Sequence, residues 1–332
     1  MKFFSLLILL ILPLIQSCSE PKGSIFEDTR LAQEAEVKFC LIGDLGRDTE
    51  HQQVMADALE REDCHRIFFL GDLVYPEGIK SADDPEFVKR FMNYYEPMLV
   101  RNPDLIINLI LGNHDHKLEP AAWKDVSNRH PRFFFPNYYY VIDYGGLCMV
   151  TLDTSFYYYP KKVMDASEQT AWLMNLQSRL KKCDVKVALT HHPMKGDSYS
   201  GSKDWNGSSG PLRAFLETWV IGKFDMHIAG HVHILADDGK DEGTRMLISG
   251  TGGENLGDGK AGFVVLRWEP ANPKRLGYSF RYIDTTVNVY EEDSQTIQKE
   301  EEEHDPSHLF INRNWVELPW WVRILNFFGI KI

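Results

Sequence analysis

Leu105-Ile106-Ile107-Asn108-Leu109-Ile110-Leu111-Gly112-Asn113-His114-Asp115-His116 is the stretch on which the reading of this chain turns. Its first seven residues are almost continuously apolar, the pattern of a buried strand. Its last turn presents an amide oxygen, two imidazoles and a carboxylate together. An Asn is an unusual metal ligand on its own. Beside an Asp and further His residues it points to a site for two ions, provided the rest of the chain brings partners to the ends of other strands.

Upstream, residues 37–42 read as a strand ending in Gly43-Asp44-Leu45-Gly46. A helical pattern follows, with Val54, Ala58 and Leu59 on one face. Residues 66–70 form the next buried strand, ending in Gly71-Asp72-Leu73-Val74-Tyr75, and residues 87–99 are helical again. This β-α-β-α-β order predicts a parallel sheet covered by helices. In such sheets ligands gather beyond the carboxyl ends of the strands, where all three polar motifs lie.

Downstream the chain is richer in strands. Residues 137–142 and 147–152 flank Asp143-Tyr144-Gly145-Gly146 as a hairpin. Residues 167–180 read as a helix, with Ser167 as its cap and Leu173, Leu176 and Leu180 on one face. A strand at 185–189 delivers Thr190-His191-His192-Pro193, and residues 195–210, rich in Gly, Ser and Asp, read as a loop over the site. A helix at 212–220 precedes Met226-His227-Ile228-Ala229, which leads into Gly230-His231-Val232-His233. Strands at 245–249, 262–268 and 276–284 complete an α/β chain with enough strands for two stacked sheets.

At 332 residues there is room for one large domain or two modest ones. A formal net charge of -12 argues against non-specific nucleic-acid binding, which needs a basic surface. It does not exclude a small anionic substrate, because bound metal ions would dominate the local field. Residues 1–17 read as a signal peptide: Lys2 precedes an apolar run too short to span a bilayer. Ile15-Gln16-Ser17-Cys18 resembles a bacterial lipoprotein processing site, the alternative being an ordinary secretory signal with Cys18 incidental. Either way the protein is exported, as a lipid-anchored protein of the bacterial envelope (periplasm or cell surface) or as a secreted one. Residues 18–35 read as a tether, 36–290 as the folded domain, and 291–332 as an acidic linker with an aromatic tail. That tail, from Trp315 onward, reads either as an interfacial membrane helix or as a strap on the core. Cys40 and Cys148 lie in apolar strand runs, where a free Cys behaves as a small hydrophobe. Cys64 and Cys183 could pair, although sequence does not settle connectivity.

Taken singly, each polar motif has an ordinary explanation: Gly-Asp is a common turn, and an isolated His is usually a hydrogen-bonded core or surface residue. Their joint placement after apolar strands is harder to dismiss. The His231-Val232-His233 spacing puts both imidazoles on one side of an extended segment, able to serve two metals.

The series Gly43-Asp44, Gly71-Asp72 with Tyr75, Gly112-Asn113-His114-Asp115, His191-His192-Pro193 and Gly230-His231-Val232-His233 resembles the calcineurin-like metallophosphoesterases. Within them it is most similar to the purple acid phosphatases of the short, tartrate-resistant type, over roughly residues 37 to 285. The resemblance implies a four-layer α/β/β/α sandwich with two stacked mixed sheets. Most metallophosphoesterases carry His where Gly46 stands here; purple acid phosphatases supply Tyr75 instead, a hard phenolate suited to Fe(III). The implied ligands are Asp44, Asp72, Tyr75 and His233 for Fe(III), and Asp72, Asn113, His191 and His231 for a divalent Fe, Zn or Mn. His191 is preferred to His192 on the family's His-x-Pro pattern. Two such cations clamp a phosphate and lower the pKa of a water, so that hydroxide attacks phosphorus in line with the leaving alcohol. His114 is then placed to protonate the leaving oxygen, with Asp115 and His192 as further catalytic-site candidates that orient ligands.

Two departures stand out. Leu45 replaces a Trp found in many relatives, and the loop from Met194 to Met226 holds no His to contact substrate, leaving Asp197, Tyr199 or Lys203 as substitutes. The implied activity is acid phosphatase hydrolysis of phosphate monoesters. The alternatives are a phosphodiesterase acting on nucleotides or phospholipid headgroups, and a catalytically weak metal- or phosphate-binding lipoprotein.

Overall fold

In the computed structural model, residues 23–159, 163–195, 210–254, 260–284 and 289–298 are described. The leader, Cys18, the candidate substrate residues Asp197, Tyr199 and Lys203, and the aromatic tail lie outside them. Among the described residues no helix is long and apolar enough to cross a membrane.

Among the described residues, fourteen strands form two mixed seven-stranded sheets. The first holds, in spatial order, β1 (Ser24–Glu27), β6 (Tyr140–Asp143), β7 (Leu147–Thr151), β8 (Val185–Leu189), β9 (Met226–Ala229), β11 (Thr244–Ser249) and β10 (Leu235–Asp241). The second holds β14 (Val289–Gln298), β13 (Arg275–Asp284), β12 (Ala261–Trp268), β2 (Val37–Ile42), β3 (Arg66–Leu70), β4 (Ile106–Ile110) and β5 (Phe133–Phe134). β2, β3, β4 and β5 pair in parallel, as the β-α-β order requires, while β12, β13 and β14 add antiparallel.

Side-chain alternation divides most of the interior into three large cores, besides a small cluster of Val232, Ile234 and Ile248. Phe39, Leu41, Phe68 and Leu70 of one sheet pack face to face with Ile142, Met149, Val187 and Ile228 of the other. On the outer face of the second sheet, Ile67, Phe69 and Ile107 meet the helices Glu50–Glu62, Asn93–Arg101 and Ala122–Arg129. On the outer face of the first, Val141, Val150 and Ala188 meet Val163–Leu180 and Gly210–Trp219. The result is helix, sheet, sheet, helix, as expected. Leu45, where a Trp was the family's choice, is fully buried in the core under the second sheet's helices.

Several expectations are corrected. Residues 24–33, read as tether, form β1, paired in parallel with β6, and a 3-10 turn Thr29–Gln33. Residues 291–298, read as a solvated acidic linker, belong to β14, hydrogen-bonded along β13. Ser167 lies inside its helix, which begins at Val163, and is not its cap.

The cysteines pair as Cys40–Cys64 and Cys148–Cys183, not Cys64 with Cys183. In each case a strand cysteine meets the one lying just before the next strand, at Cα separations of 5.8 Å. Sequence separations of 24 and 35 residues close loops worth about 3–4 kcal/mol each in chain entropy.

Candidate metal and phosphate site

All the implied donors lie beyond the carboxyl ends of five strands, three from one sheet and two from the other. β2 delivers Asp44, β3 delivers Asp72 and Tyr75, and β4 delivers Asn113. Across the seam β8 delivers His191, and β9 delivers His231 and His233. Three of these residues, Asp44 (φ 62°), Asp72 (φ 53°) and His231 (φ 69°), occupy the left-handed region that side chains rarely adopt. The chain reverses sharply at each, turning the donor into the cleft.

One half of the cluster centres on Tyr75. Its hydroxyl lies 3.0 Å from Asp44 Oδ1, 2.9 Å from Asp72 Oδ2 and 3.0 Å from His233 Nε2. A phenol has one proton to donate and here faces three acceptors. Burial, with the Asp44 and Asp72 charges beside it, pushes the Tyr75 hydroxyl well above its ordinary pKa. A cation entering this half must therefore displace that proton.

The other half centres on Asn113 Oδ1, which lies 3.0 Å from His191 Nε2 and 3.0 Å from His231 Nδ1. His191 Nδ1 is 2.8 Å from the Leu70 carbonyl, an acceptor, so it carries a proton and donates it. Its Nε2 then faces an amide oxygen and, at 3.4 Å, Asp72 Oδ2, neither of which can donate, and His231 Nδ1 at 3.2 Å. Without an ion, a proton on one of these two ring nitrogens must bridge the acceptors. Burial would lower the His191 pKa, but the Asp72 carboxylate outweighs it and raises it to about 9. The donors therefore fit a cation in this half too. Asp72 reaches both halves; burial would raise its carboxyl, yet His191, His114 and His231 hold it far below the carboxylate range. His231, by contrast, is lowered to about 3 by burial and by His191. The ion-binding clusters recognisable among the described residues are Asp44-Asp72-His191 and His191-His192-His231.

Gly46 has a steric reason. A Cβ there would stand 2.1 Å from Leu73 O and 2.6 Å from Val74 Cα, so no His fits at this position on this backbone. The same close approach lets Tyr75 N–H donate to Gly46 O at 2.9 Å, which anchors the tyrosine backbone against this turn.

His114 is part-exposed at the rim, its ring 4.4 Å from that of Tyr75 and its Nε2 3.9 Å from Asp72 Oδ2. Its backbone N–H donates to Asp72 Oδ1 at 2.8 Å, and Lys117 Nζ lies 2.9 Å from its Nδ1. Burial lowers its pKa, against the pull of Asp72 and with a further push from Lys117. Asp115 sits behind the cluster, accepting from Leu73 N at 3.1 Å and Gly112 N at 2.9 Å. Burial and the nearby Asp72 raise its carboxyl to about 8. His192, fully buried, hydrogen-bonds Thr154 Oγ1 through Nδ1 at 2.8 Å, and burial and His231 lower its pKa well below the ordinary value. The structure thus gathers the seven implied ligands and His114 into one cluster, with Asp115 and His192 buried beside it. Sequence reasoning missed Arg47, Lys117, Thr154 and Glu254, although Arg47 directly follows Gly46 and Glu254 closes the Gly250–Gly253 turn.

A model of the calcineurin-like phosphoesterase family matches residues 37–235. Tartrate-resistant acid phosphatase type 5 of Rattus norvegicus is 23% identical over 277 residues, covering 74% of this chain and 77% of that protein. Purple acid phosphatase 4 of Arabidopsis thaliana is 32% identical over a shorter stretch, 32% of this chain and 29% of that protein. Among solved structures, a dimetal phosphatase from Danio rerio superposes with a TM-score of 0.52 at 14% identity, over 79% of this chain and 98% of that one. GAP50, the anchor in the inner membrane complex of Plasmodium, superposes with a TM-score of 0.59 at 16% identity, over 83% and 94%. These superpositions show the fold.

Proposed function

The chain belongs to the calcineurin-like phosphoesterase family, and on that premise we propose that it is a binuclear phosphomonoesterase of the purple acid phosphatase kind. The observation that carries this reading is the convergence of lone pairs in two half-sites that share Asp72. Asp44, Asp72, Tyr75 and His233 would hold Fe(III), whose hardness suits carboxylate and phenolate oxygen. Asp72, Asn113, His191 and His231 would hold a divalent Fe, Zn or Mn. When bound, such a pair supplies Lewis acidity at the phosphate oxygens and makes water nucleophilic near neutral pH.

This chain's own residues do the rest. Leu70 O fixes the His191 tautomer, so that Nε2 faces the cleft. His114 stands at the open rim as the proton donor to the leaving alkoxide, and the bond from its backbone N–H to Asp72 keeps its ring registered to the shared carboxylate. Asp115 and His192 act by positioning: the first ties the loops after β3 and β4 together, and the second fixes the loop after β8 to Thr154. The two disulfides and the lipoprotein-like leader support export to an oxidising compartment and tethering through Cys18.

The test is hydrolysis by the iron-plus-zinc-loaded protein of an aryl phosphate against a bis-aryl phosphate. Faster turnover of the monoester is expected. Preference for the diester would replace this reading with phosphodiesterase chemistry, and no turnover of either would make the protein a binding lipoprotein.

A further inference from the structure

We propose that Glu254, held by Arg47, is a positioning residue that sets the donor strength of His233 toward the ion bound with Tyr75. The inference rests on the ion-site reading above and adds to it two residues outside the ligand set.

The geometry is specific. His233 Nδ1 lies 2.8 Å from Glu254 Oε1, while its other nitrogen, Nε2, lies 3.0 Å from the Tyr75 hydroxyl and 3.3 Å from Asp44 Oδ1. The imidazole thus bridges a carboxylate outside the cluster to the donors inside it. Glu254 is not delivered by a loose tip. Gly252 N donates to Gly43 O at 3.0 Å and Gly253 N to Asp44 O at 2.6 Å, so the chain leading to Glu254 is stitched onto the turn that carries Asp44. The same Glu254 oxygen is paired with Arg47 Nη2. Arg47 lies with its Cζ 3.9 Å from the centre of the Tyr75 ring, and its carbonyl accepts from Arg90 Nη1 at 2.9 Å.

Physically, a carboxylate can only accept, so Glu254 keeps a proton on His233 Nδ1, and Nε2, which faces Asp44 and Tyr75, is the nitrogen left to serve an ion that displaces any proton there. An ionised acceptor behind a ligating imidazole also raises the ligand's basicity, which favours the higher oxidation state of the ion. The guanidinium restrains Glu254 from swinging into solvent, and its charge over the Tyr75 ring favours the electron-rich phenolate. Arg47 and Glu254 thus brace the outer side of Tyr75 and His233 together.

The experiment uses the full chain in two states. In the ion-free protein, ring-nitrogen NMR of His233, assigned by loss of the signal in His233→Gln, should show a proton held on Nδ1. Glu254→Gln should keep it through the amide oxygen, and Glu254→Ala should lose it. In the iron-loaded protein, Glu254→Ala should weaken iron retention against a competing chelator by about 10–100-fold. Glu254→Gln should retain the iron but shift its visible band and make it easier to reduce. Arg47→Met should resemble Glu254→Gln in milder form. A wild-type His233 in the Nε2–H tautomer, or a Glu254→Ala protein with wild-type tautomer, iron retention and band, would overturn the proposal. If the wild type shows the Nδ1–H lock and the variants change it and the iron retention as stated, but no colour develops with iron, the bracket is upheld and only the Fe(III)–tyrosinate assignment fails.

Discussion

Asp28→Asn asks whether charge bolts the N-terminal strand to the body. Asp28 follows β1, and its Oδ2 accepts from Arg66 Nη2 at 2.9 Å and Nε at 3.3 Å; the Arg66 side chain is only 5% exposed. Its Oδ1 accepts from Arg30 Nε at 2.8 Å on the solvent side. Burial alone would raise the Asp28 carboxyl, but the bonds and charges of Arg30 and Arg66 outweigh it and lower the pKa from 3.8 to about 2. At about 1.4 kcal/mol per pKa unit this gap corresponds to roughly 2.5 kcal/mol. The Arg30 contact faces water and contributes little of it, so a loss of about 1.5–2 kcal/mol is expected. The folded pKa is depressed, so the stabilisation is complete above the unfolded pKa and disappears as pH falls through the folded one. The difference between variant and wild type should therefore be full above about pH 5 and largely gone near pH 2. Urea unfolding with disulfides intact, at neutral pH and near pH 2.5, measures it. Equal midpoints at neutral pH, or a difference undiminished in acid, would refute the reasoning.

Gly46→Ala should cost about 2–3 kcal/mol in unfolding free energy and weaken metal retention, because its Cβ would overlap Leu73 O beside Tyr75. Tyr75→Phe should fold normally, as checked by circular dichroism, yet abolish the purple colour of the iron-loaded protein. Asn113→Ala and His231→Ala should each lose most aryl phosphatase activity, about 100-fold or more, without appreciably lowering the unfolding midpoint of the ion-free protein. Cys148→Ala with Cys183→Ala should destabilise the chain by about 3–4 kcal/mol in denaturant titration.

The strands that were legible before any coordinates are the interior ones. β2, β3, β4, β8 and β9 are nearly continuous apolar runs, each with a single polar residue, because both of their faces are covered, and such runs announce themselves. All four sheet edges were hidden. β1 looked like a tether, β14 like a linker, and the two-residue β5 and the Asp-rich β10 carried no pattern at all. An edge strand is held largely by backbone bonds to one neighbour, and polar or charged side chains there guard against pairing with other chains. The amide ladder that defines it leaves little trace in composition. The same logic divides the site. The ligating residues follow apolar strands at readable spacings, whereas Glu254 reaches His233 from a turn 21 residues further along, and Arg47 bends back over Tyr75, 28 residues away. The disulfides escaped notice because Cys40 and Cys148 sit in strands whose apolar context made them look like ordinary core residues.

The donors come from both sheets, and protein atoms already stitch that seam: His231 N–H donates to Asp44 Oδ2 at 2.8 Å, and Gly43 N–H to Ser249 O at 2.7 Å. An ion held between Asp72 of one sheet and His191 of the other is therefore also a mechanical fastener, resisting shear of one sheet over its partner. Loading should be felt far from the cleft: at a thousandfold excess over the dissociation constant, binding adds about 4 kcal/mol to global stability. Amide exchange should slow along β2 and β8 together. Occupancy of the site would then govern the lifetime of the protein as well as the proposed chemistry, and starvation for metal would curtail both.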